Sequence, residues 1–327
     1  MKNYLITGAA GFIGSHFAIK VCELGHRVIV LDAMTYAANM QNLDKIKDST
    51  SFKFFKGNIC DAELVEKILH EEEIDFVVNF AAESHVDNSI KSPENFIQTN
   101  IVGTYNLLDC SLKYWRKRNH DFRFLHVSTD EVYGSLSLTD PKFNEENPYR
   151  PNSPYSASKA SSDHLVRAWF ETFSLPVITT NCSNNFGPHQ HREKLIPTII
   201  RNALEGKQIP IYGDGQNIRD WIFVKDHVDG IFMALHQGKA GETYCFGGEC
   251  EKANVDLAKE ICLILDELKP RADNKSYQEQ LTFVIDRPGH DKRYAIDNGK
   301  VKREFGFKPA ISFEERLKET VNWYFLS

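Results

Sequence analysis

A glycine turn stands almost at the start of the chain. The apolar run Tyr4-Leu5-Ile6 ends at Thr7 and passes straight into Gly8-Ala9-Ala10-Gly11-Phe12-Ile13-Gly14, after which a helical pattern begins. Glycines at such a corner let the backbone come close to another group. The helix behind them offers unpaired N–H groups and the positive end of its dipole to an anion. Strand, glycine turn and helix in this order make the pyrophosphate cradle of an open parallel sheet. Further apolar runs at 28–31, 52–55, 76–80, 124–127 and 177–179 alternate with longer amphipathic stretches, the rhythm of βαβ units. The expectation is an α/β protein with a doubly wound, parallel-sheet Rossmann domain.

The rhythm changes after about Asn181, where Pro, Gly and His break up Asn184-Asn185-Phe186-Gly187-Pro188-His189. With 327 residues the chain is long enough for two domains of ~150. We expect a nucleotide-binding domain over 1–181, rejoined by helix-then-strand material at about 222–246. A smaller mixed α/β substrate domain is expected over about 182–221 and 247–327. Segment 269–280 reads as the most loop-like and a candidate for mobility. A long helix is expected over 92–115, opened by Ser92-Pro93-Glu94, with Ile97, Ile101, Leu108 and Leu112 on one face.

Charge and cysteine usage narrow the setting. Lys plus Arg number 39 against 45 Asp plus Glu, a net charge of −6, which is a poor footprint for nucleic acid. The basic run 113–118 reads as the solvated end of the long helix. Seven scattered cysteines without a C-x-x-C pair suggest neither a disulfide framework nor a zinc site, so no metal is expected and a reducing compartment is. The first apolar run is too short for a signal-peptide core, and no segment approaches the ~18 apolar residues of a membrane span. A cytoplasmic protein with no membrane partner is the expectation.

Two positions fit the adenosine side of a dinucleotide. Asp32 ends the second expected strand, 18 residues after Gly14. A carboxylate there accepts from both ribose hydroxyls and repels a 2′-phosphate, which favours NAD over NADP. Asn58, after the third strand, is within reach of the adenine. At the other end, Ser128-Thr129-Asp130-Glu131-Val132-Tyr133-Gly134 follows the fifth strand, and Tyr155 precedes Lys159 by one helical turn. Bringing a tyrosine with a pKa of ~10 down by ~3 units takes about 4 kcal/mol. An ammonium ~5 Å away supplies about 3 kcal/mol at an effective dielectric of ~20, and the cation of an oxidised nicotinamide supplies more. Tyr155 is then a general base for an alcohol that loses hydride.

Thr-Gly-x-x-Gly-x-x-Gly, Tyr-x-x-x-Lys and Ser-Thr-Asp-Glu-Val-Tyr-Gly together resemble the extended short-chain dehydrogenase/reductase superfamily. Nearly the whole chain is similar to its nucleotide-sugar 4,6-dehydratases, enzymes of deoxysugar biosynthesis. Matching stretches include 31–37, 81–87, 182–188, 193–197, Arg219-Asp220-Trp221 and 286–291. The resemblance implies NAD as cofactor, held by Gly8, Gly11, Phe12, Ile13, Gly14, Asp32, Thr35, Asn58, Ile59, Ala81, Ala82, Thr99, Tyr155, Lys159 and Cys182. It also implies a homodimer, for which the helices at 92–115 and 155–173 are the candidates. Asn58 stands where the family has Asp, and Asn88 and 189–192 depart from its pattern too.

The implied reaction is loss of water from an NDP-hexose, with dTDP-glucose first and UDP- or another NDP-hexose as alternatives. Tyr155 takes the C4 hydroxyl proton as hydride leaves C4, and Thr129 hydrogen-bonds the forming ketone. Glu131 then removes the C5 proton, and protonated Asp130 donates to the departing C6 hydroxyl. Hydride returns to C6, so NAD is recycled. An epimerase or decarboxylase of the same superfamily is disfavoured by the Asp130-Glu131 pair, and a silent NAD-binding scaffold by the whole catalytic set. The substrate is expected to meet Ser84, Thr129, Asn184, Glu193, Lys194, Leu195, Asn254 and His290, with Arg219 and Arg287 as the phosphate-binding forks. The remaining histidines read as plain packing.

Overall fold

The computed structural model describes residues 1–118 and 121–326. Six strands follow the expected apolar runs: β1 (Asn3–Thr7), β2 (Arg27–Asp32), β3 (Phe52–Lys56), β4 (Phe76–Asn79), β5 (Arg123–Thr129) and β6 (Val177–Cys182). Beyond them come β7 (Asn184–Phe186), β8 (Ile209–Tyr212), β9 (Ile218–Phe223), β10 (Thr243–Phe246), β11 (Glu251–Ala253) and β12 (Leu281–Val284). Seven strands form one sheet in the order β10-β6-β5-β4-β1-β2-β3, every neighbouring pair parallel. Tyr4, Leu5 and Ile6 are all fully buried, Tyr4 and Ile6 in one apolar cluster and Leu5 in another. Burial on both faces is why these strands read as unbroken apolar runs.

Because the strands are parallel, Thr7, Asp32, Asn79, Thr129 and Cys182 finish at the same edge of the sheet. In a doubly wound sheet that edge is where ligands bind. The sheet reverses between β1 and β4, where the glycine turn lies. The returning material is helix Val224–Gln237 followed by β10, which pairs with β6. Beside this sheet, β7, β9 and β11 make a second one and β8 pairs with β12, over a separate apolar cluster that includes Phe186, Trp221 and Leu257.

The long helix differs from its sequence pattern. It runs as Pro93–Phe96, then a wide turn of π type over Ile97–Gly103, then Thr104–Lys117. Ser92 precedes Pro93 as expected, but its side chain makes no capping bond. A π turn spends an extra residue per turn and rotates everything before it relative to everything after. The expected stripe is therefore broken: Leu108 and Leu112 are buried, whereas Ile97 is 52% exposed. Segment 269–280 is loop-rich, as read, yet tied down. The Asp266 carboxylate accepts from Ser276 Oγ at 2.6 Å and Tyr277 N at 2.9 Å, and Tyr277 OH donates to Lys269 O at 2.9 Å. No helix among the described residues is long and apolar enough to cross a membrane.

Candidate active site

A cavity of about 310 Å³ opens along the carboxyl edge of the large sheet. Its walls contain Gly8, Gly11, Phe12, Ile13, Gly14, Asp32, Thr35, Asn58, Ile59, Ala81, Ala82, Thr99 and Cys182. Thr129, Asp130, Glu131, Tyr155, Lys159, Ser84, Asn184, Glu193 and Lys194 line it too.

The glycine turn is made by close backbone approach. Gly8 has φ +70°, and a Cβ there would come within 2.7 Å of Ala81 N. A Cβ on Gly14 would meet Gly8 O at 2.6 Å. Both contacts are with backbone, which cannot swing aside. Asp32 stands at the end of β2, with Oδ2 accepting from Ala10 N at 2.9 Å and Oδ1 from Met34 N at 2.8 Å. Each oxygen keeps a lone pair for a ligand hydroxyl. Asn58 turns its Oδ1 to Cys60 N at 2.9 Å, so its carbonyl serves the loop while the residue lines the cavity.

Chemistry collects at the end of β5. Thr129 Oγ1 accepts from Glu131 N at 3.3 Å, which starts a short 3-10 turn over Asp130–Tyr133 and holds the two acids in place. Asp130 is 2% exposed, and its Oδ2 is buried without a hydrogen-bond partner among the described residues. Burial, then the neighbouring Glu131 and Asp220 carboxylates, push Asp130 well above the usual carboxylate range. Burial also raises Glu131, but Arg287, Arg219 and Lys194 all pull it back. Both acids are raised, Asp130 the further, while Glu131 faces three cations, an asymmetry of the kind that separates an acid from a base.

Tyr155 and Lys159 sit on the first turns of helix Pro154–Phe173, begun by a capping box between Ser153 and Ser156. Lys159 Nζ donates to Val127 O at 2.9 Å and lies 3.1 Å from His126 Nε2. Burial pulls this lysine down to about 8. The phenol of Tyr155 is held well above its ordinary value by burial and by the Glu131 carboxylate, while a hydrogen bond with Thr129 works the other way. In the chain alone the phenol stays protonated, and a further cation is needed beside it to make the base.

His126 is not plain packing. It is fully buried, and burial followed by the Lys159 charge pushes it down to about 4. Its Nδ1 lies 3.1 Å from Asn79 Nδ2, and its Nε2 lies 3.4 Å from Asp163 Oδ1. Asp163 Oδ2 in turn accepts from Ser128 Oγ at 2.8 Å, Tyr149 OH at 3.0 Å and Asn181 Nδ2 at 3.2 Å. A polar floor under Lys159 therefore runs through residues that sequence reasoning missed. The available signal was a histidine inside the apolar strand Phe124-Leu125-His126-Val127.

The substrate candidates are scattered along the chain, and the structure treats them differently. Lys194 Nζ donates to Ser84 O at 2.9 Å, and Tyr36 OH donates to Glu193 at 3.3 Å. Arg219 packs over the Tyr294 ring at 4.4 Å and donates to Asp291 O at 3.1 Å, while the adjacent Asp220 carboxylate accepts from Gly248 N and Cys250 N. Arg287 lies 3.4 Å from Asp87, and its Nε is buried without a partner among the described residues, as are Asn184 Oδ1 and Asn254 Oδ1. His290 Nδ1 pairs with Asp286 at 2.6 Å. Leu195 opens helix Leu195–Leu204 and packs on the second unit's apolar cluster. Leu195, Arg219, Asn254, Arg287 and His290 stand outside the cavity wall.

A parallel sheet with a glycine turn, a Tyr–Lys pair on a helix and two unlike acids beyond the fifth strand together define a dehydratase-type short-chain dehydrogenase/reductase. The chain belongs to the GDP-mannose 4,6-dehydratase family, whose sequence profile matches residues 5–320. It is 52% identical to a dTDP-glucose 4,6-dehydratase of Xanthomonas campestris, across 99% of this chain and 93% of that one. The corresponding enzyme of Haemophilus influenzae is 51% identical, over 99% and 98% of the two chains. The dTDP-glucose 4,6-dehydratase of Streptomyces venezuelae, solved with NAD bound, superposes with a TM-score of 0.91 at 43% identity, covering 99% of this chain and 97% of that one.

Proposed function

We propose that this protein is an NAD-dependent dTDP-glucose 4,6-dehydratase, converting dTDP-glucose to dTDP-4-keto-6-deoxyglucose and water. The observation that carries the reading is the unequal pair Asp130 and Glu131 in the same cavity as Tyr155, Lys159 and the glycine turn. The cradle fits a dinucleotide: backbone stands where any Cβ at Gly8 or Gly14 would be, and Asp32 presents a carboxylate suited to ribose hydroxyls. NAD, when bound, supplies the acceptor for the C4 hydride and the donor that returns it to C6. Its residues are Gly8, Gly11, Phe12, Ile13, Gly14, Asp32, Thr35, Asn58, Ile59, Ala81, Ala82, Thr99 and Cys182, with Tyr155 and Lys159 at the reacting end.

The chain's own groups do the proton work. Tyr155 accepts the C4 hydroxyl proton, and Thr129 holds the oxygen that becomes the ketone. The ketone acidifies C5–H, Glu131 removes that proton, and Asp130 gives its own to the departing C6 hydroxyl. Arg219 and Arg287 bind the diphosphate, supported by Asn184 and His290. Glu193, Lys194, Leu195 and Asn254 frame the nucleoside, and Ser84 meets the hexose. Residues 1–181 with about 222–246 hold the cofactor, and about 182–221 with 247–327 hold the nucleotide sugar.

The cytoplasm is the proposed compartment, on seven unpaired cysteines. A homodimer is proposed through the helices beside Tyr105, where Ile97, Val102, Tyr105 and Phe173 leave an apolar face exposed. A monomer at micromolar concentration in light scattering would remove the dimer. The activity test is incubation with dTDP-glucose and, separately, UDP-glucose, followed by mass spectrometry without added NAD. Loss of one water from dTDP-glucose supports the reading; loss from UDP-glucose alone reassigns the nucleotide; no change with either, even with NAD added, overturns it.

A further inference from the structure

A lysine that stabilises a phenolate must not have its charge cancelled by a carboxylate. The proposed function makes Tyr155 the base and Lys159 the cation one helical turn along, both on the cavity wall, and the role inferred for His126 rests on that reading. Lys159 has a competing partner. Asp163 stands one turn further along the same helix, the spacing at which lysine and aspartate side chains meet. Its Oδ2 is fixed by Ser128 Oγ, Tyr149 OH and Asn181 Nδ2, while its Oδ1 is buried without a hydrogen-bond partner among the described residues. Yet no ion pair joins Lys159 to Asp163. Each reaches the same atom instead, His126 Nε2, at 3.1 Å and 3.4 Å.

Hydrogen bonds on both sides of the imidazole hold it there. Thr7 Oγ1 donates to Asn79 Oδ1 at 2.6 Å, which turns Asn79 Nδ2 to His126 Nδ1 at 3.1 Å as a donor to the ring's lone pair. The ring, kept neutral by burial, then carries its proton on Nε2. Ser162 Oγ lies 3.2 Å from Nε2 and gives its own proton to Lys159 O at 2.8 Å, so it accepts from the ring. His126 Nε2 therefore has no lone pair for the Lys159 ammonium, whose protons are left with Val127 O, at 2.9 Å, and the cavity. Cys182 on β6 also acts on Lys159, but burial pushes its thiol up, so it brings no charge. The imidazole is neither counter-ion nor acceptor for this lysine. It fills the space in which lysine and carboxylate would join.

We propose that His126 is a positioning residue that holds Lys159 apart from Asp163, so that the charge of the lysine acts on Tyr155. A shorter side chain would let Lys159 close on Asp163 Oδ1, and Tyr155 would lose its cation.

The test follows the Tyr155 phenolate in NAD-loaded enzyme without substrate, as ultraviolet absorbance against pH, each form being compared with its own Tyr155→Phe counterpart. His126→Thr suits a strand but is too short to stand between the two groups, and His126→Val serves in its place where the threonine variant does not fold. The Tyr155 titration is expected to move up by about one pH unit, a tenfold smaller phenolate fraction. The acid limb of kcat should move with it, with KM for dTDP-glucose little changed. His126→Gln reaches as far as Nε2 and is expected to titrate close to wild type. In His126→Thr/Asp163→Asn no carboxylate is left for Lys159 to close on, so the titration is expected to return to the wild-type position, whereas Asp163→Asn alone moves it far less. A titration unmoved in His126→Thr, or an Asp163→Asn effect of equal size with and without the imidazole, overturns the spacer and leaves His126 to packing. A wild-type enzyme that shows no Tyr155 titration and leaves dTDP-glucose unchanged fails the parent reading instead.

Discussion

The two ends of the cavity are built differently. At the proposed dinucleotide end the work is done by backbone: Ala81 N and Gly8 O stand where a Cβ on Gly8 or Gly14 would go, and the one side chain of consequence, Asp32, is held by two backbone N–H groups. At the sugar end side chains do the work. They come from β5, from helix Pro154–Phe173 and from segments around Ser84, Asn184 and Lys194, with Arg219 and Arg287 outside the wall but close enough to act on Glu131. A backbone cradle is specific for shape and tolerant of neighbours, whereas a side-chain constellation gets its chemistry from mutual electrostatics. Substitutions at the two ends should therefore fail in different ways.

The largest effect is expected at the acids. Glu131→Gln and Asp130→Asn should each lower kcat by ~10²–10⁴-fold, the usual worth of a positioned acid or base, while NAD carried through purification stays unchanged. Glu131→Gln should also abolish exchange of the C5 hydrogen with solvent, read by mass spectrometry in heavy water. C5 exchange at the wild-type rate would give the base role to another residue. Loss of carried NAD in either variant would break the division between the two ends.

Gly8→Ala probes the opposite end. A Cβ 2.7 Å from Ala81 N, on a residue with φ +70°, forces backbone to move. Strain of about 1–3 kcal/mol corresponds to roughly 5- to 150-fold weaker NAD binding, measured by calorimetry. At saturating NAD, kcat should recover to within a few-fold. A kcat that stays depressed would mean that the turn also positions the reacting end.

The same contrast explains what could be read in advance. The cradle lies in one stretch from Thr7 to Gly14, so its order along the chain is its order in space, and Asp32 follows at a spacing set by one helix and one strand. The acids and the Tyr–Lys pair were legible because each forms a compact local pattern. His126 was not, because it meets Lys159 only where the helix packs on β5, and Asp163, one turn after Lys159 on the same helix, was not because its partners Ser128, Asn181 and His126 come from β5 and β6. Leu195 shows the reverse: a residue beside Glu193 and Lys194 in sequence turns away, since it begins a helix whose apolar face joins another core. The stripe on the long helix failed for a third reason. Periodicity assumes 3.6 residues per turn, and the π turn at Ile97–Gly103 breaks that assumption.

Arg287→Lys sharpens the sugar end. Arginine binds a diphosphate through a planar fork, and lysine offers a point charge. The expected result is a KM for dTDP-glucose raised about tenfold, or ~1.4 kcal/mol, with kcat changed much less because the positive charge near Glu131 remains. An equal fall in kcat would mean that Arg287 acts on the acids more than on the phosphates.

The last effect concerns the seam between the two sheets and reads stability instead of turnover. His227, fully buried on helix Val224–Gln237, has its Nδ1 2.9 Å from Asn185 Oδ1 on β7, while Asn185 itself lines the cavity. Burial pushes this histidine down to about 3, so it is neutral in the folded protein at any moderately acid pH. The unfolded chain protonates it near 6.5. Below that pH the unfolded state binds one more proton, and stability falls as the medium becomes more acid, down to about 3. One such proton contributes a slope of about 1.4 kcal/mol per pH unit. His227→Gln keeps a donor for Asn185 and cannot titrate, so urea unfolding between pH 6 and 4 should lose about that much slope relative to wild type. An unchanged slope would show that the buried imidazole reaches water before the chain unfolds, and that the seam opens independently of the two sheets it joins.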